Sequence, residues 1–349
     1  MATSRRHGLR NYIIRRLMLM VPTFLGITFV TFVLTQFVPG GPIDQLRLQM
    51  IGAGGEGGST GGARDRVQFV IPEDQLAILK RFYGFDKPIP VRYLVWLGRI
   101  VRLDFGASFR YTEPVIDTIS QRLPVSIYYG LWTTFFTYAI SIPLGIVKAI
   151  RHRSLIDNAS SVLIFVGYAI PGYALGAVLL VLFAVNRSWF PLGGFESAGF
   201  DSLPFWGKVW DRLHHSILPL ICYLIGSFAV TTMLMKNSLM ENMSADYVKT
   251  ALAKGLTWRR AIFVHAVRNS LIPLATSIGH LIGLILTGSL LIERVFNIRG
   301  MGLLYFEAIQ ARDYPVVMGI IVISGVLLLV GNLLSDLCVA AVDPRVRFE

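Results

Sequence analysis

The sequence predicts an all-α, polytopic membrane protein with six transmembrane helices. Two observations lead there. Of 349 residues, 54% are hydrophobic and only 15% charged, and mean hydropathy is +0.58; a soluble domain of this size needs more charge to cover its surface. The apolar residues also come in long blocks rather than in a short period, each block long enough to cross a hydrocarbon core of about 30 Å.

The blocks are roughly 17–38, 124–147, 159–185, 216–235, 271–292 and 316–342. Helix is the expected form, because lipid offers no partner to unpaired backbone groups. Pro22, Pro143, Pro171, Pro219 and Pro273 fall in or beside these runs, which membrane helices tolerate and soluble ones do not. The basic lead Arg5, Arg6, Arg10, Arg15 and Arg16 resembles a signal peptide. The apolar run behind it is too long for one and no small-x-small site follows, so it reads as an uncleaved first span.

Charge sets the orientation. Residues 1–16, 148–157, 236–270 and 336–349 together carry a net +10, whereas loops 40–123, 186–213 and 292–314 carry +2. The positive-inside rule places the first group, with both termini, in the cytosol. Most of the formal +12 is thereby a topology signal facing anionic lipid, and a nucleic-acid partner is not expected.

Three regions follow: a cytosolic N-terminus and first span (1–38), an external loop (39–123) and a five-helix core (124–349). The external loop opens with the glycine-rich stretch 52–62, a flexible insert by composition. Two amphipathic stretches, 72–82 and 91–102, then suggest a small cap. That cap could dock a delivery protein or pack on the bundle.

Enzyme signatures are missing. There is no G-x-x-x-x-G-K-[ST], H-E-x-x-H or G-x-S-x-G. Cys222 and Cys338 sit in apolar runs and read as buried hydrophobes, with no disulfide or metal expected. His214 and His215 are adjacent, so a helix points them apart. His280 lies within the fifth span and reads either as a neutral partner of another helix or as a proton relay. Gly172/Gly176 and Gly279/Gly283 each place two glycines on one helix face, for contact within the chain or with a partner subunit.

The segment Lys236–Arg268 carries most information. Tyr247, Val248, Ala251 and Leu252 can share a helix face, Gly255 follows Lys254 as a stop, and a second amphipathic helix after Thr257 sets Ile262, Val264 and Val267 among basic residues. A helix–glycine–helix joined to two spans suits force transmission; a basic segment adhering to lipid is the other reading.

This segment resembles the "EAA" coupling loop of ATP-binding-cassette (ABC) importer permeases, in the form found in the oligopeptide/dipeptide/nickel family. The resemblance rests on residues 246–256 and 265–273. Lys249, Thr250 and Ala251 stand where the generic signature has Glu-Ala-Ala, a departure shared with the peptide branch. Residues 39–42, 83–88, 104–106, 288–302, 311–315 and 343–345 fit the same branch, so the resemblance covers nearly the whole chain. Within it the glycine-rich insert, 201–206 and 233–238 are most similar to the Yej-type B permeases.

The resemblance implies a type I importer permease fold with a cytosolic coupling helix, in a bacterial inner membrane. It implies a second permease, cytosolic ATPase subunits that carry the ATP and Mg, and a periplasmic peptide-binding protein. No cofactor is expected on this chain, which would form half of a peptide path without catalysing a reaction; nickel or another small solute is the alternative cargo. Tyr247, Thr250, Ala251, Lys254 and Gly255 are the expected ATPase-coupling residues. Thr287, Gly288 and Ser289 are candidates for lining the pore.

Overall fold

A computed structural model describes residues 2–37, 87–277 and 288–342, with side chains over 11–35, 87–277 and 288–340. The helices are α1 (Ala2–Phe37), α2 (Ile89–Val101), α3 (Val115–Ile150), α4 (Leu155–Ala169) and α5 (Gly172–Leu179), which a π segment (Leu180–Val185) extends. They continue with α6 (Phe205–Ser244), α7 (Asp246–Ala253), α8 (Trp258–Arg260, a π stretch Ala261–Ala266, then Val267–Ser270), α9 (Leu290–Val295), α10 (Met301–Gln310) and α11 (Tyr314–Val342). Among the described residues no strand forms beyond one isolated bridge, Ala107 to Pro114.

Four of these helices are long and apolar enough to cross a membrane, and α4 with α5 passes the same test as a bent pair. That pair is bent by 91°, where the sequence reading expects one continuous span. The bend falls at Ile170-Pro171. Proline removes a backbone donor and pushes the preceding residue out of the helical region, and Ile170 is extended at φ −88°, ψ 121°. The fifth predicted span includes 278–287 and so lies partly outside the described residues, as do the glycine-rich insert and the stretch 72–82. The second amphipathic stretch is α2.

α6 runs 40 residues. At 1.5 Å per residue it is about 60 Å long, roughly twice a hydrocarbon core. Lys236, expected to open a loop, therefore lies within this helix.

The chain divides into two compact units. One comprises 22–119 and 307–322. Its core is Phe32, Tyr93 and Met318, and Thr28 Oγ1 and Tyr93 Oη share a 2.9 Å hydrogen bond. At the N-terminus of α11, Asp313 accepts from the Ser108 hydroxyl and, at 3.1 Å, from the Arg110 amide. The other unit comprises 1–21, 120–306 and 323–349 and has two apolar clusters spaced along α6. Ala149, Met235, Leu239, Val248, Ala261, Ile262, Ala266 and Leu274 form one; Tyr129, Leu218, Leu220, Cys222, Ile292, Phe296 and Ile298 form the second. The candidate site belongs to this unit.

Candidate functional site

α6 ends at Ala245, whose extended backbone (φ −70°, ψ 150°) lets the chain restart as α7. Val248 is buried, and Tyr247 and Ala251 pack against the same cluster. The Tyr247 hydroxyl donates to Asn242 Oδ1 at 2.6 Å, tying α7 back to α6. Lys249, Thr250, Leu252, Lys254 and Gly255 are exposed. The expected coupling residues are thus brought together on one short helix but divide in two: Tyr247 and Ala251 anchor it, while Thr250, Lys254 and Gly255 face outward. Lys249 pairs with Asp246 at 2.9 Å and holds that carboxyl below its usual range. Both groups are exposed, so the pair adds little stability.

α7 closes in a Schellman motif. The Leu256 amide donates to Ala251 O (3.2 Å) and the Gly255 amide to Leu252 O (2.9 Å). Gly255 has φ +86°, a conformation a Cβ disfavours, although a Cβ there would meet nothing within 4 Å. The demand for glycine is conformational and not steric.

Beyond Thr257 the helix α8 starts as expected. Ile262 is buried, whereas Val264 is 52% exposed. Val264, two residues on, lies about 200° around an α-helix from Ile262 and so faces away from the cluster; a π turn covers Ala261–Ala266. Leu252 leaves its predicted face and is exposed.

Behind this hairpin lies a buried ionic cluster that sequence reasoning treated as topology charges only. Lys236 on α6 donates to both oxygens of Asp157 on α4, at 2.7 and 2.8 Å. Lys148 on α3 lies 3.1 Å from Asp157 Oδ1. It also donates to Asp157 O, Ser160 Oγ and Ser161 Oγ at 2.7–2.8 Å. The Arg153 amide donates to Asp157 Oδ2 at 3.0 Å, and His152 Nδ1 is 3.3 Å from it. Lys148 is 0% exposed and Asp157 2%. No local pattern reveals this cluster, because its members meet only once three helices pack.

A cavity of about 690 Å³ opens farther along α6. Tyrosines 129, 138, 168, 173 and 223 line it with Ser and Thr hydroxyls, aliphatic side chains and glycines, and its described lining carries no charged residue. Gly288 and Ser289 belong to that lining; Thr287 lies outside the described residues. Gly288 has φ +59°, and a Cβ on it would overlap Glu293 Oε1. Glu293, buried on α9, accepts from the Leu303 amide at 2.7 Å, and Ser126 Oγ accepts from the Met301 amide at 2.8 Å. Both satisfy first-turn donors of α10 that have no partner within the helix. Neither residue was singled out from the sequence.

His214 and His215 do point apart: their Nε2 and Nδ1 bond Trp189 O (2.7 Å) and Asp211 O (2.9 Å). Gly172 and Gly176 pack within the chain, since a Cβ would lie 2.7 Å from Cys222 O and 2.8 Å from Phe296 Cε2 respectively. Cys222 is buried and free, and Cys338 is half-buried and free. His280, Gly279 and Gly283 lie outside the described residues.

The family profile described as "binding-protein-dependent transport system inner membrane component" matches residues 141–348. The chain belongs to that family. It is 41% identical to the peptidoglycan transport system permease protein YejB of Agrobacterium fabrum, over 97% of this chain and 98% of that one. It is also 41% identical to the inner membrane ABC transporter permease protein YejB of Escherichia coli O157:H7, over 97% and 99%. The oligopeptide transport system permease protein AppB of Bacillus subtilis is 36% identical over the same shares. This family member is a multi-pass inner-membrane permease subunit of an ABC importer, a transport component and not an enzyme.

Proposed function

We propose that this permease forms half of a path for peptides or peptide-like compounds, and that a separate ATPase docks on the outward face of α7. The observation that carries the docking reading is the two-sidedness of α7. Val248, Tyr247 and Ala251 seat it in the core, while Thr250, Leu252, Lys254 and Gly255 are exposed beyond them. Both ends of the α7–α8 hairpin are continuous with, or packed on, helices of the membrane core, so a push on it reaches the bundle. ATP and Mg would be held by the ATPase. Closure of the ATPase subunits would bias the two permeases between inward- and outward-facing states. A periplasmic binding protein would deliver the cargo, and both termini would lie in the cytosol.

The cavity supports the peptide reading. Its volume is in the range that accepts a small organic ligand. Hydroxyls and tyrosine faces without fixed charge suit amide groups and varied side chains. Relatives of this chain include permeases named for peptide, oligopeptide, dipeptide and peptidoglycan transport, which favours peptides over nickel.

Purification through a tag on this chain tests the assembly; an ATPase and a second permease should accompany it, and repeated recovery of a lone stable subunit would count against the reading. The cavity is tested by Ser289→Trp, which should block uptake of labelled peptides while ATP hydrolysis by the complex persists.

A further inference from the structure

Lys148 and Lys236 are tied to Asp157 in unequal ways. Lys148 holds α4 through three neutral oxygens, Asp157 O, Ser160 Oγ and Ser161 Oγ, besides the carboxylate. The joint between α3 and α4 therefore does not depend on the Asp157 side chain. Lys236 Nζ is bonded to the two Asp157 carboxylate oxygens, so this ion pair is the polar link from α6 to α4 at that level.

One turn away, α3 and α6 are in close contact. A Cβ on Gly145 would lie 2.7 Å from Met235 Cβ and 3.0 Å from Thr232 O. The turn 232–236 of α6 is thus held on two sides. Beyond it α6 runs on to Ser244 and leads into α7. In the other direction Tyr223, Ser227 and Thr231 of α6 line the cavity, as does Tyr168 of α4.

We infer that the Asp157–Lys236 ion pair is a fulcrum lock: it makes α4 and α6 move as one lever, so that displacement of α7 shifts two walls of the cavity together. Lys236 and Asp157 are positioning residues; neither touches the cargo or the outward face of α7. Without the lock α6 would swing or flex alone, and hydrolysis would proceed with the cavity only half driven. A buried pair is weak evidence of stabilisation, since desolvation of both charges opposes their attraction. A role in defining which helices move together gives such a pair another use.

The inference rests on α7 being the ATPase dock, and its test separates the two. Lys236→Met is the informative variant: the chain keeps a similar volume, and Asp157 retains Lys148 and the Arg153 amide, so no buried charge is stranded. The complete complex is reconstituted in vesicles, and uptake of a radiolabelled tripeptide library is measured per ATP hydrolysed. The Met variant should retain its ATPase and hydrolyse ATP, with uptake per ATP falling about tenfold. Lys236→Arg, which keeps the ion pair, should recover most of it. A wild-type ratio in the Met variant overturns the lock, as does a parallel fall of uptake and hydrolysis, which a purely structural role would produce. Failure of the docking reading shows instead in the unmodified chain, which would then bring down no ATPase.

Discussion

Glu293 Oε2 accepts a hydrogen bond from the Leu303 amide at 2.7 Å, from one short helix to the first turn of the next. Glycines enclose this carboxylate: a Cβ on Gly300 would sit 2.5 Å from Oε1, and one on Gly288 would overlap it. The same Gly288 lines the cavity. Removal of the carboxylate in Glu293→Ala should strand buried amides and destabilise the subunit by about 2–3 kcal/mol, read as a lower midpoint of thermal unfolding. Burial pushes the Glu293 carboxyl up, so the neutral Glu293→Gln, which keeps an acceptor, should be milder. Gly300→Ala should be harmful alone and less than additive with Glu293→Ala, because the second change removes the atom the first one strikes.

Gly255 gives a sharper test of the α7 stop. Its φ of +86° with open space around the Cβ position makes backbone conformation the discriminating property. Gly255→Ala should cost about 1–2 kcal/mol locally, and Gly255→Asn less, since Asn tolerates the left-handed region. Uptake should fall in the order Asn, Ala, Trp, with the subunit still in the membrane in each case. Normal uptake by Gly255→Trp would sink the coupling role.

The two faces of α7 predict opposite phenotypes. Leu252→Glu changes an exposed position and should leave stability within about 0.5 kcal/mol, while the ATPase no longer co-purifies. Val248→Glu places an unpaired carboxylate in the core and should abolish accumulation of the subunit.

The two faces of α8 make a further contrast between two aliphatic residues. Ile262→Ala should destabilise the subunit by about 2–5 kcal/mol because it opens a cavity in the cluster. Val264→Ala should be nearly silent in the same unfolding measurement. Equal effects would mean that both side chains are buried in the folded subunit.

Much of this protein was legible in the chain. Blocked hydropathy marks the spans, and the asymmetry of Arg and Lys carries the orientation we propose. Gly255 after Lys254 marks the end of α7. These are local signals, set by solvent transfer and by the allowed backbone conformations of single residues. The π turn in α8 was not legible, because it follows from how its neighbours pack. The 91° bend at Pro171 was half legible: the proline is visible, but membrane helices absorb many prolines without breaking, as α6 does Pro219.

By itself, then, the sequence determined a polytopic α-helical subunit, its family resemblance and the place of the proposed coupling helix. The tertiary structure decided which of the proposed coupling residues anchor α7 and which face outward, and that Gly288 closes on Glu293. It also joined Lys148, Asp157 and Lys236. The reason is separation along the chain: Asp157 and Lys236 are 79 residues apart, and charges at that spacing acquire a common meaning only when packing brings their helices together and excludes water from between them.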